Sequence, residues 1–267
     1  MICNAAAPKL SGPVSVWQET FPIRFAAIDR SNRLTLDAVF QFFQEVAISH
    51  AENLGVGRED MAKTKQSWIL SRMSVLVTQR PRYCETITVR SWPRGGDKLF
   101  ALRDYDIRNE AGVPVVQARS GWIVLDMEKR RPMRPNSVMD ALPMNEGLNA
   151  LESGNAGLAG RDNLQKSGER RALYTDIDYN GHVNNIRYIQ WIEDTLDSKA
   201  LEDAAKMRMD INYLNEVLPG SVTEIWYAPV SDDGTADFGR PNAAYAFEGR
   251  NAGNNQAMFR AELRLWD

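Results

Sequence analysis

The chain has 267 residues, of which 43% are hydrophobic and 25% charged, a composition typical of a globular protein with one large or two ordinary domains. Its formal net charge of −3 gives no general affinity for nucleic acid or for an anionic membrane. Because it lacks an apolar run of membrane-spanning length and, at Met1 to Pro8, the pattern of a signal peptide, we predict a cytoplasmic location.

The first half begins with a long helix and continues with strands. Residues 36–54 keep apolar or small side chains on one helical face and end at Gly55, which predicts a buried helix. His50 lies on that apolar stripe and is predicted to be a core histidine. The segments 94–97 and 109–112 carry hairpin turn signals. Strand-like runs are found at residues 68–79, 86–93, 99–108 and 113–126.

The two cysteines are too few and too scattered for a disulfide framework or a metal site. We place Cys3 in a loose tail. Cys84 falls in the strand-like run 83–89, and we predict a small buried residue without a chemical role. No cofactor and no metal ion are predicted.

The second half repeats the order of the first. Residues 136–168 are rich in Gly, Asn, Ser and Leu without a clear period, which indicates a linker between residues 1–135 and residues 169–267. A helix is predicted over about 184–198, followed by strand-like runs at 207–217, 221–229, 242–250 and 256–266. The predicted fold class is α+β, with one helix laid on an antiparallel sheet in each half.

Two segments of the chain occur twice. Residues 28–34 match residues 177–183 at a shift of 149, and residues 72–77 match residues 208–213 at a shift of 136. Both copies keep an aspartate, Asp29 or Asp178. The other polar groups differ between the copies. The first copy has Arg33 at the position of His182, Ser31 at that of Asn180 and Arg80 at that of Glu216. This period indicates a duplicated domain, with a catalytic second copy and a structural first copy.

The second copy carries its polar residues at the entrance of a helix. Asp178, Asn180 and His182 lie close together in sequence, and apolar side chains then recur at positions 186, 189, 192 and 196, the spacing of one helical face. Backbone N–H groups at such an entrance, near Val183 to Asn185, favour a developing negative charge. The cluster is suited to acid and base chemistry, although a turn or cap role explains Asp178 equally well.

The chain resembles the acyl-acyl-carrier-protein (acyl-ACP) thioesterases in the segment Asp178-x-Asn180-x-His182-Val183-Asn184-Asn185-x-x-Tyr188-Ile189-x-Trp191-Ile192. Trp122, Asp126 and the basic run 129–134 are also similar to the family pattern. The resemblance covers most of the chain and implies a double hotdog fold of two tandem repeats. It also implies hydrolysis of acyl-ACP to free fatty acid, with an acyl-chain pocket in the non-catalytic N-terminal repeat. The partner would be the acidic carrier protein, which the basic run could bind.

The match to the family breaks directly after Glu216. The family has a Glu-Cys pair at this place, whereas Val217 follows the glutamate here. A thiol triad is therefore excluded at this position, and we predict attack of water on the thioester, assisted by Glu216 and His182. Asn180 would orient the water or the carbonyl, and Asp178 would orient His182 or the loop. Glu216 is expected to be buried against its apolar neighbours.

Three other functions remain open from the sequence. A hotdog thioesterase acting on acyl-CoA would use the same groups. Hotdog hydratases and dehydratases also use a carboxylate and a histidine, but they resemble Asp-x-Asn-Pro-x-His, and this chain has Gly181 and no proline before His182. A non-enzymatic acyl-binding protein could share the fold. A homodimer is possible.

Overall fold

The computed structural model describes residues 12–140, 142–145, 147–231 and 237–267. Cys3 and the N-terminal segment tested for a signal peptide lie outside the described residues. None of the described helices has the length and apolar character needed to cross a membrane.

The first half contains two helices and six strands. The long helix and the four strands after it follow the predicted order, and a first strand, a second, short helix and a short last strand are additional. Its elements are β1 (Trp17–Pro22), α1 (Leu36–Asn53), α2 (Arg58–Lys63), β2 (Gln66–Val77), β3 (Thr86–Asp97), β4 (Phe100–Arg108), β5 (Pro114–Asp126) and β6 (Arg131–Met133). The predicted long helix is confirmed as α1, which buries Phe40, Phe43, Val46 and His50 against the sheet.

The second half repeats this order after a short helix. Its elements are α3 (Asn136–Met139), β7 (Gln165–Arg171), α4 (Asn185–Glu193), α5 (Ser198–Asp203), β8 (Lys206–Tyr213), β9 (Val222–Pro229), β10 (Ala243–Asn251) and β11 (Ala257–Trp266). The final residues of the predicted linker therefore belong to strand β7. Each half is a helix on an antiparallel sheet, which confirms the α+β prediction.

The strands of both halves form one continuous sheet with the order β1-β3-β4-β5-β2-β8-β11-β10-β9-β7, and β6 pairs with β5. The two repeats have the same strand order, each read from its outer edge to the middle of the sheet: β1-β3-β4-β5-β2 in the first and β7-β9-β10-β11-β8 in the second. The two halves meet where β2 pairs antiparallel with β8, and Ser74 lies opposite Asp210, its own counterpart at a shift of 136. The Ser74 hydroxyl donates to the Asp210 carboxylate at 2.6 Å.

The two faces of the sheet differ in polarity. One face is apolar and is covered by α1 and α4, which contact each other. The other face is polar and is crossed by the segment between α3 and β7. Backbone N–H groups of this segment donate to side chains on β4, β2 and β8: Ala150 to Asp104 at 2.9 Å, Asn155 to Ser74 at 2.7 Å, and Leu158 to Asn212 at 2.7 Å. The predicted linker is therefore packed on the sheet.

Several boundaries differ from the prediction. The strand predicted over 207–217 ends at Tyr213, so Glu216 lies in the loop after β8. Helix α4 ends at Glu193, because Asp197 caps a new helix, α5, by accepting the N–H of Lys199 at 2.9 Å. The predicted turn at 94–97 is wrong, since β3 continues to Asp97 through a bulge beside Gly95, whose φ is +116°. The chain turns at Lys98 instead, with φ of +56°.

The prediction that Cys84 is a buried strand residue is also wrong. Cys84 is exposed and lies in a turn, with a left-handed φ of +68°. The apolar alternation of this segment begins only with β3 at Thr86, after the chain has turned from Pro81.

Candidate active site

The loop before α4 is a tight turn closed by backbone hydrogen bonds. Ile177 and Val183 form an isolated antiparallel bridge, and the Asp178 N–H donates to the His182 carbonyl at 2.9 Å. Gly181 turns the chain with φ of +87°, a conformation that glycine adopts without a Cβ clash. The turn therefore presents the His182 side chain on the outside of the helix entrance.

His182 and Glu216 meet across two loops. His182 Nε2 lies 3.3 Å from Glu216 Oε2, as the sequence predicts. The two loops are held together by the backbone, because the Val183 N–H donates to the Val217 carbonyl at 2.9 Å. The expected burial of Glu216 is wrong. Its side chain is 54% exposed, and only the next residue, Val217, is buried.

Asp178 organises the loop. Its carboxylate accepts the Asn180 N–H at 2.7 Å, and the Asn180 side-chain nitrogen lies 3.5 Å from the other carboxylate oxygen. Among the described residues, the Asp178 carboxylate has no hydrogen bond to the His182 ring. Of the two roles considered for Asp178, the geometry therefore favours orientation of the loop. Asn180 itself is exposed, with its amide beside the His182 turn.

The helix entrance offers one backbone donor for an oxyanion. The Val183 N–H is bound to Val217, and the Asn184 N–H donates to the Asp176 carbonyl at 2.8 Å. Asn184 is the N-cap, whose side chain accepts the Ile186 N–H at 3.0 Å. In the part of the chain that the structure describes, the Asn185 N–H has no acceptor. Of the three predicted oxyanion donors, Asn185 alone is available.

The corresponding place in the first repeat is filled by the protein itself. The Leu36 N–H, the counterpart of the Asn185 N–H, donates to the Glu193 carboxylate at 3.1 Å. Arg80 stands at the place of Glu216; its buried guanidinium pairs with Asp29 and donates to the Leu34 carbonyl at 2.9 Å. The repeat without a histidine therefore has no room for a substrate at its helix entrance.

Sequence reasoning missed Glu193, an acidic residue at the interface between α1 and α4. Burial and the nearby Asp37 raise its pKa to about 8, although the backbone N–H groups of Leu36 and Asp37 partly oppose this. The signal in the sequence was a glutamate directly after Ile192, within a run that forms the buried face of a helix.

Two aromatic residues of the motif were given no role. Tyr188 is buried, and burial raises the pKa of its hydroxyl above the ordinary value, with the charges of Glu216 and Asp178 acting in the same direction. Tyr188 therefore lies within the electrostatic reach of both carboxylates. Tyr179 extends into solvent and carries the Arg58 guanidinium at 3.5 Å from its ring centre, so that α2 of the first half contacts the loop of the second.

Among the described residues, no group of three or more His, Cys, Asp and Glu side chains is arranged to hold a metal ion. The groups that converge on the entrance of α4 are a histidine, a carboxylate, an amide and one unpaired backbone N–H. Such a set can move a proton and stabilise an oxyanion.

Both halves of the chain match family models. Residues 14–141 match the acyl-ACP thioesterase N-terminal domain, and residues 161–260 match the acyl-ACP thioesterase C-terminal domain. The chain belongs to the acyl-ACP thioesterase family. The resemblance predicted from the residues around His182 is confirmed.

Curated relatives of this acyl-ACP thioesterase family member include plant proteins. A palmitoyl-acyl carrier protein thioesterase of Cuphea hookeriana is 25% identical over 222 residues, which cover 78% of this chain and 54% of that protein. An oleoyl-acyl carrier protein thioesterase of Coriandrum sativum is 23% identical over 237 residues, covering 82% of this chain and 64% of that protein. The chain thus spans about half to two thirds of the length of these relatives.

Solved structures share the fold over nearly their whole length. An acyl-ACP thioesterase from Bacteroides thetaiotaomicron superposes with a TM-score of 0.80 at 23% identity, covering 94% of this chain and 97% of that chain. The 12:0-ACP thioesterase from Umbellularia californica gives 0.77 at 20% identity, with the same coverage. The predicted double hotdog fold is confirmed.

Proposed function

We propose that this protein hydrolyses acyl thioesters of acyl carrier protein to free fatty acid and carrier-protein thiol. The observation that carries the proposal is the 3.3 Å approach of His182 to Glu216 at the entrance of α4, in the repeat whose entrance is not filled by other side chains. Membership of the family supports the substrate class, and the related proteins are named for this activity.

In the proposed reaction, water attacks the thioester carbonyl. Glu216 accepts the proton from water, directly or through the His182 imidazole, and the carbonyl oxygen becomes the oxyanion that the Asn185 N–H binds. Asn180 orients the water or the carbonyl, and Asp178 holds the turn that carries Asn180. When the tetrahedral intermediate collapses, the carbon–sulfur bond breaks and the proton passes to the leaving thiolate. Oxygen from water remains in the fatty acid.

The first half supplies a groove for the acyl chain. Strand β2 continues beyond Arg72, its last pairing with β8, as far as Gln66, and it pairs there with the end of β5. This extension carries the half-buried apolar side chains of Trp68 and Leu70, and Trp122 of β5 pairs with Leu70. The surface is suited to an alkyl chain because it is apolar and only partly covered.

Basic residues flank the same region. The turn before β6 lies against the end of α2, where the Met127 N–H donates to the Lys65 carbonyl at 2.9 Å. Of the predicted basic run, Lys129 is 3.6 Å from Asp126, whereas Arg130, Arg131 and Arg134 are exposed and have no ion pair among the described residues. These arginines are suited to bind an acidic carrier protein beside the groove.

The substrate class is tested by measuring free thiol released from acyl-ACP and from acyl-CoA over a range of chain lengths. The proposal expects hydrolysis of acyl-ACP with a kcat/KM well above that for acyl-CoA. Preference for acyl-CoA would identify the CoA thioesterase. Hydration of an enoyl thioester without thiol release would identify a hydratase, and acyl binding without turnover would identify a binding protein. The cytoplasmic location and the homodimer remain proposals.

A further inference from the structure

Two tyrosines of the second repeat lie close to the entrance of α4. Tyr188 belongs to α4 and Tyr213 ends β8, and their rings meet edge to face with centres 5.6 Å apart. Phe259 of β11 pairs with Tyr213 across the strands, and its ring centre lies 5.2 Å from that of Tyr188. The three aromatic side chains thus form the packing layer between the helix and the sheet at this end of the repeat.

The first repeat packs the same place without aromatic rings. The shifts of 149 and 136 put Val39 and Val77 at the positions of Tyr188 and Tyr213. Val77 pairs across the strands with Val116, as Tyr213 does with its aromatic partner. All three valines are buried, so aliphatic side chains are enough to close this layer of the fold. The copy that carries the catalytic groups is the one that adds hydroxyl groups here.

The Tyr213 hydroxyl reaches the first residue of α4, where it donates to the Asn185 carbonyl at 3.3 Å. The same peptide group is held at its other end, because the Ile186 N–H donates to the Asn184 side chain at 3.0 Å. A peptide group that is bonded through both its C=O and its N–H is restrained against rotation. The adjoining peptide group carries the Asn185 N–H, the oxyanion donor of the proposed reaction, and the two peptide groups share the Asn185 Cα.

The Tyr213 hydroxyl is suited to remain a donor during the reaction. Burial raises its pKa above the ordinary value of a phenol, and the neighbouring Tyr188 acts in the same direction. Tyr213 therefore stays protonated while a carboxylate and a histidine exchange protons. Within the described ranges of the chain, its hydroxyl has no hydrogen bond to Glu216 or His182.

Tyr213 also stands next to the segment that carries the base. After it, the N–H groups of Leu214 and Asn215 donate to the Met258 carbonyl at 2.9 and 3.1 Å, and Glu216 follows directly. The strand end that leads to Glu216 is thus tied to the helix entrance through one phenol. A tie at this point fixes where the oxyanion donor lies relative to the base.

We propose that Tyr213 is a positioning residue, whose hydroxyl holds the first turn of α4 so that the Asn185 N–H meets the oxyanion formed by attack on the thioester. This inference rests on the proposed function. Tyr213 acts through Asn185 and takes no part in bond breaking. Its contribution arises when negative charge develops on the carbonyl oxygen, because an oxyanion donor stabilises the transition state more than the bound substrate.

The test compares kcat and KM on acyl-ACP for the wild type, Tyr213→Phe and Tyr227→Phe. Tyr213→Phe keeps the ring and removes the hydroxyl, so kcat should fall roughly tenfold while KM stays unchanged. The pH at which kcat is half-maximal should also stay unchanged, because the hydroxyl does not bond the groups that move the proton. Tyr227 lies on β9 of the same repeat, and its hydroxyl has no hydrogen bond in the described part of the chain. Tyr227→Phe should therefore keep both constants.

Tyr213→Met, which also lacks the hydroxyl, should lose the same factor in kcat, and circular dichroism shows whether each variant is folded. A folded Tyr213→Phe or Tyr213→Met with the kcat of the wild type would overturn the inference. A raised KM at unchanged kcat would also overturn it, since the hydroxyl would then act on substrate binding. A shifted pH profile would do the same, by assigning the hydroxyl to the proton-transfer pair. Absence of thioester hydrolysis in the wild type would instead remove the proposed function.

Discussion

At the scale of single residues, Val217 occupies the position at which the resemblance to the family implies a cysteine. It is buried, with its carbonyl bound to the Val183 N–H. The valine therefore anchors the Glu216 loop to the helix entrance, and the proton chemistry is assigned to the neighbouring glutamate. Sequence reasoning could predict the His182 and Glu216 pair because both groups are lost from the first repeat.

The first prediction is that hydrolysis is independent of thiols. Cys84 is a free, exposed cysteine in a turn of the first half, away from the entrance of α4, so alkylation of the protein should leave the rate largely intact. Cys3→Ser and Cys84→Ser together should behave like the wild type. Val217→Cys should not be faster, since a thiol needs a base within about 2.6–3.2 Å to act as a nucleophile. Loss of activity in both the alkylated protein and the double variant would show an essential cysteine.

What the sequence could not supply at this scale was the choice of oxyanion donor. The pattern around residues 183–185 marks a helix entrance, but it does not say which N–H groups are already used. Only the fold shows that Val217 and Asp176 take two of the three, and that the third belongs to Asn185. The exposure of Glu216 was missed for a related reason, because Val217 turns inward and the glutamate points away from the core.

At the scale of elements, α1 and α4 are joined through the half-buried carboxyl group of Glu193. Glu193 of α4 accepts the Leu36 N–H at the entrance of α1, and its pKa is raised to about 8. A carboxyl group with a higher pKa in the folded than in the unfolded chain contributes its full stabilisation at pH values below the unfolded pKa of about 4.5. This contribution is lost as the pH rises through 8, because ionisation then favours the unfolded chain.

The second prediction follows from this titration. Between pH 5 and pH 9, the free energy of unfolding should fall less in Glu193→Gln than in the wild type. The two slopes should differ by at most ~1.4 kcal/mol per pH unit, which is the value for one proton. Urea unfolding at each pH measures this. Glu45→Gln, which changes an exposed carboxylate on α1, should follow the wild-type curve. If the free energy of unfolding had the same pH dependence in Glu193→Gln and in the wild type, the raised pKa assigned to Glu193 would be wrong.

The contact between α2 and the loop before α4 links the two halves at the site. Arg58 lies over the ring of Tyr179, and Tyr179 stands between Asp178 and Asn180 in the sequence. The third prediction is that Arg58→Ala loosens this loop and lowers kcat on acyl-ACP about tenfold or less, since a cation–π contact at an exposed site contributes only about 0.5–1 kcal/mol. Lys63→Ala, on the same helix but paired with Asp60, is the control. Equal kinetics for both variants would show that the contact has no role.

The strands were predicted closely because alternating side chains and turn residues mark them directly. The turn at Gly95 was misplaced because a bulge also uses glycine, and the sequence does not distinguish the two. The end of α4 was misplaced because the apolar position at Leu196 continues the spacing, while Asp197 restarts the helix as a cap.

At the scale of the whole molecule, the duplication divides the work between the repeats. The entrances of α1 and α4 lie in the two repeats of one continuous sheet. The two repeats meet where Ser74 pairs with Asp210. The first entrance is filled by Arg80 and Glu193 and stabilises the fold, while the second keeps an open entrance beside His182. The sequence predicts this division from the lost histidine. The filling of the first entrance required the fold, because Glu193 comes from the other repeat.

The measurement that tests this account most directly is kcat/KM on acyl-ACP for His182→Gln, Glu216→Gln and the double variant, with Arg33→Gln of the first repeat as the matched control. Each single variant should lose about 10²–10⁴-fold, the contribution of a positioned acid or base, without loss of folded structure. The double variant should lose little more than a single one, because the two residues act as a unit. Arg33→Gln should keep its activity. Full activity in both His182→Gln and Glu216→Gln would contradict the assignment of the catalytic site to the second repeat.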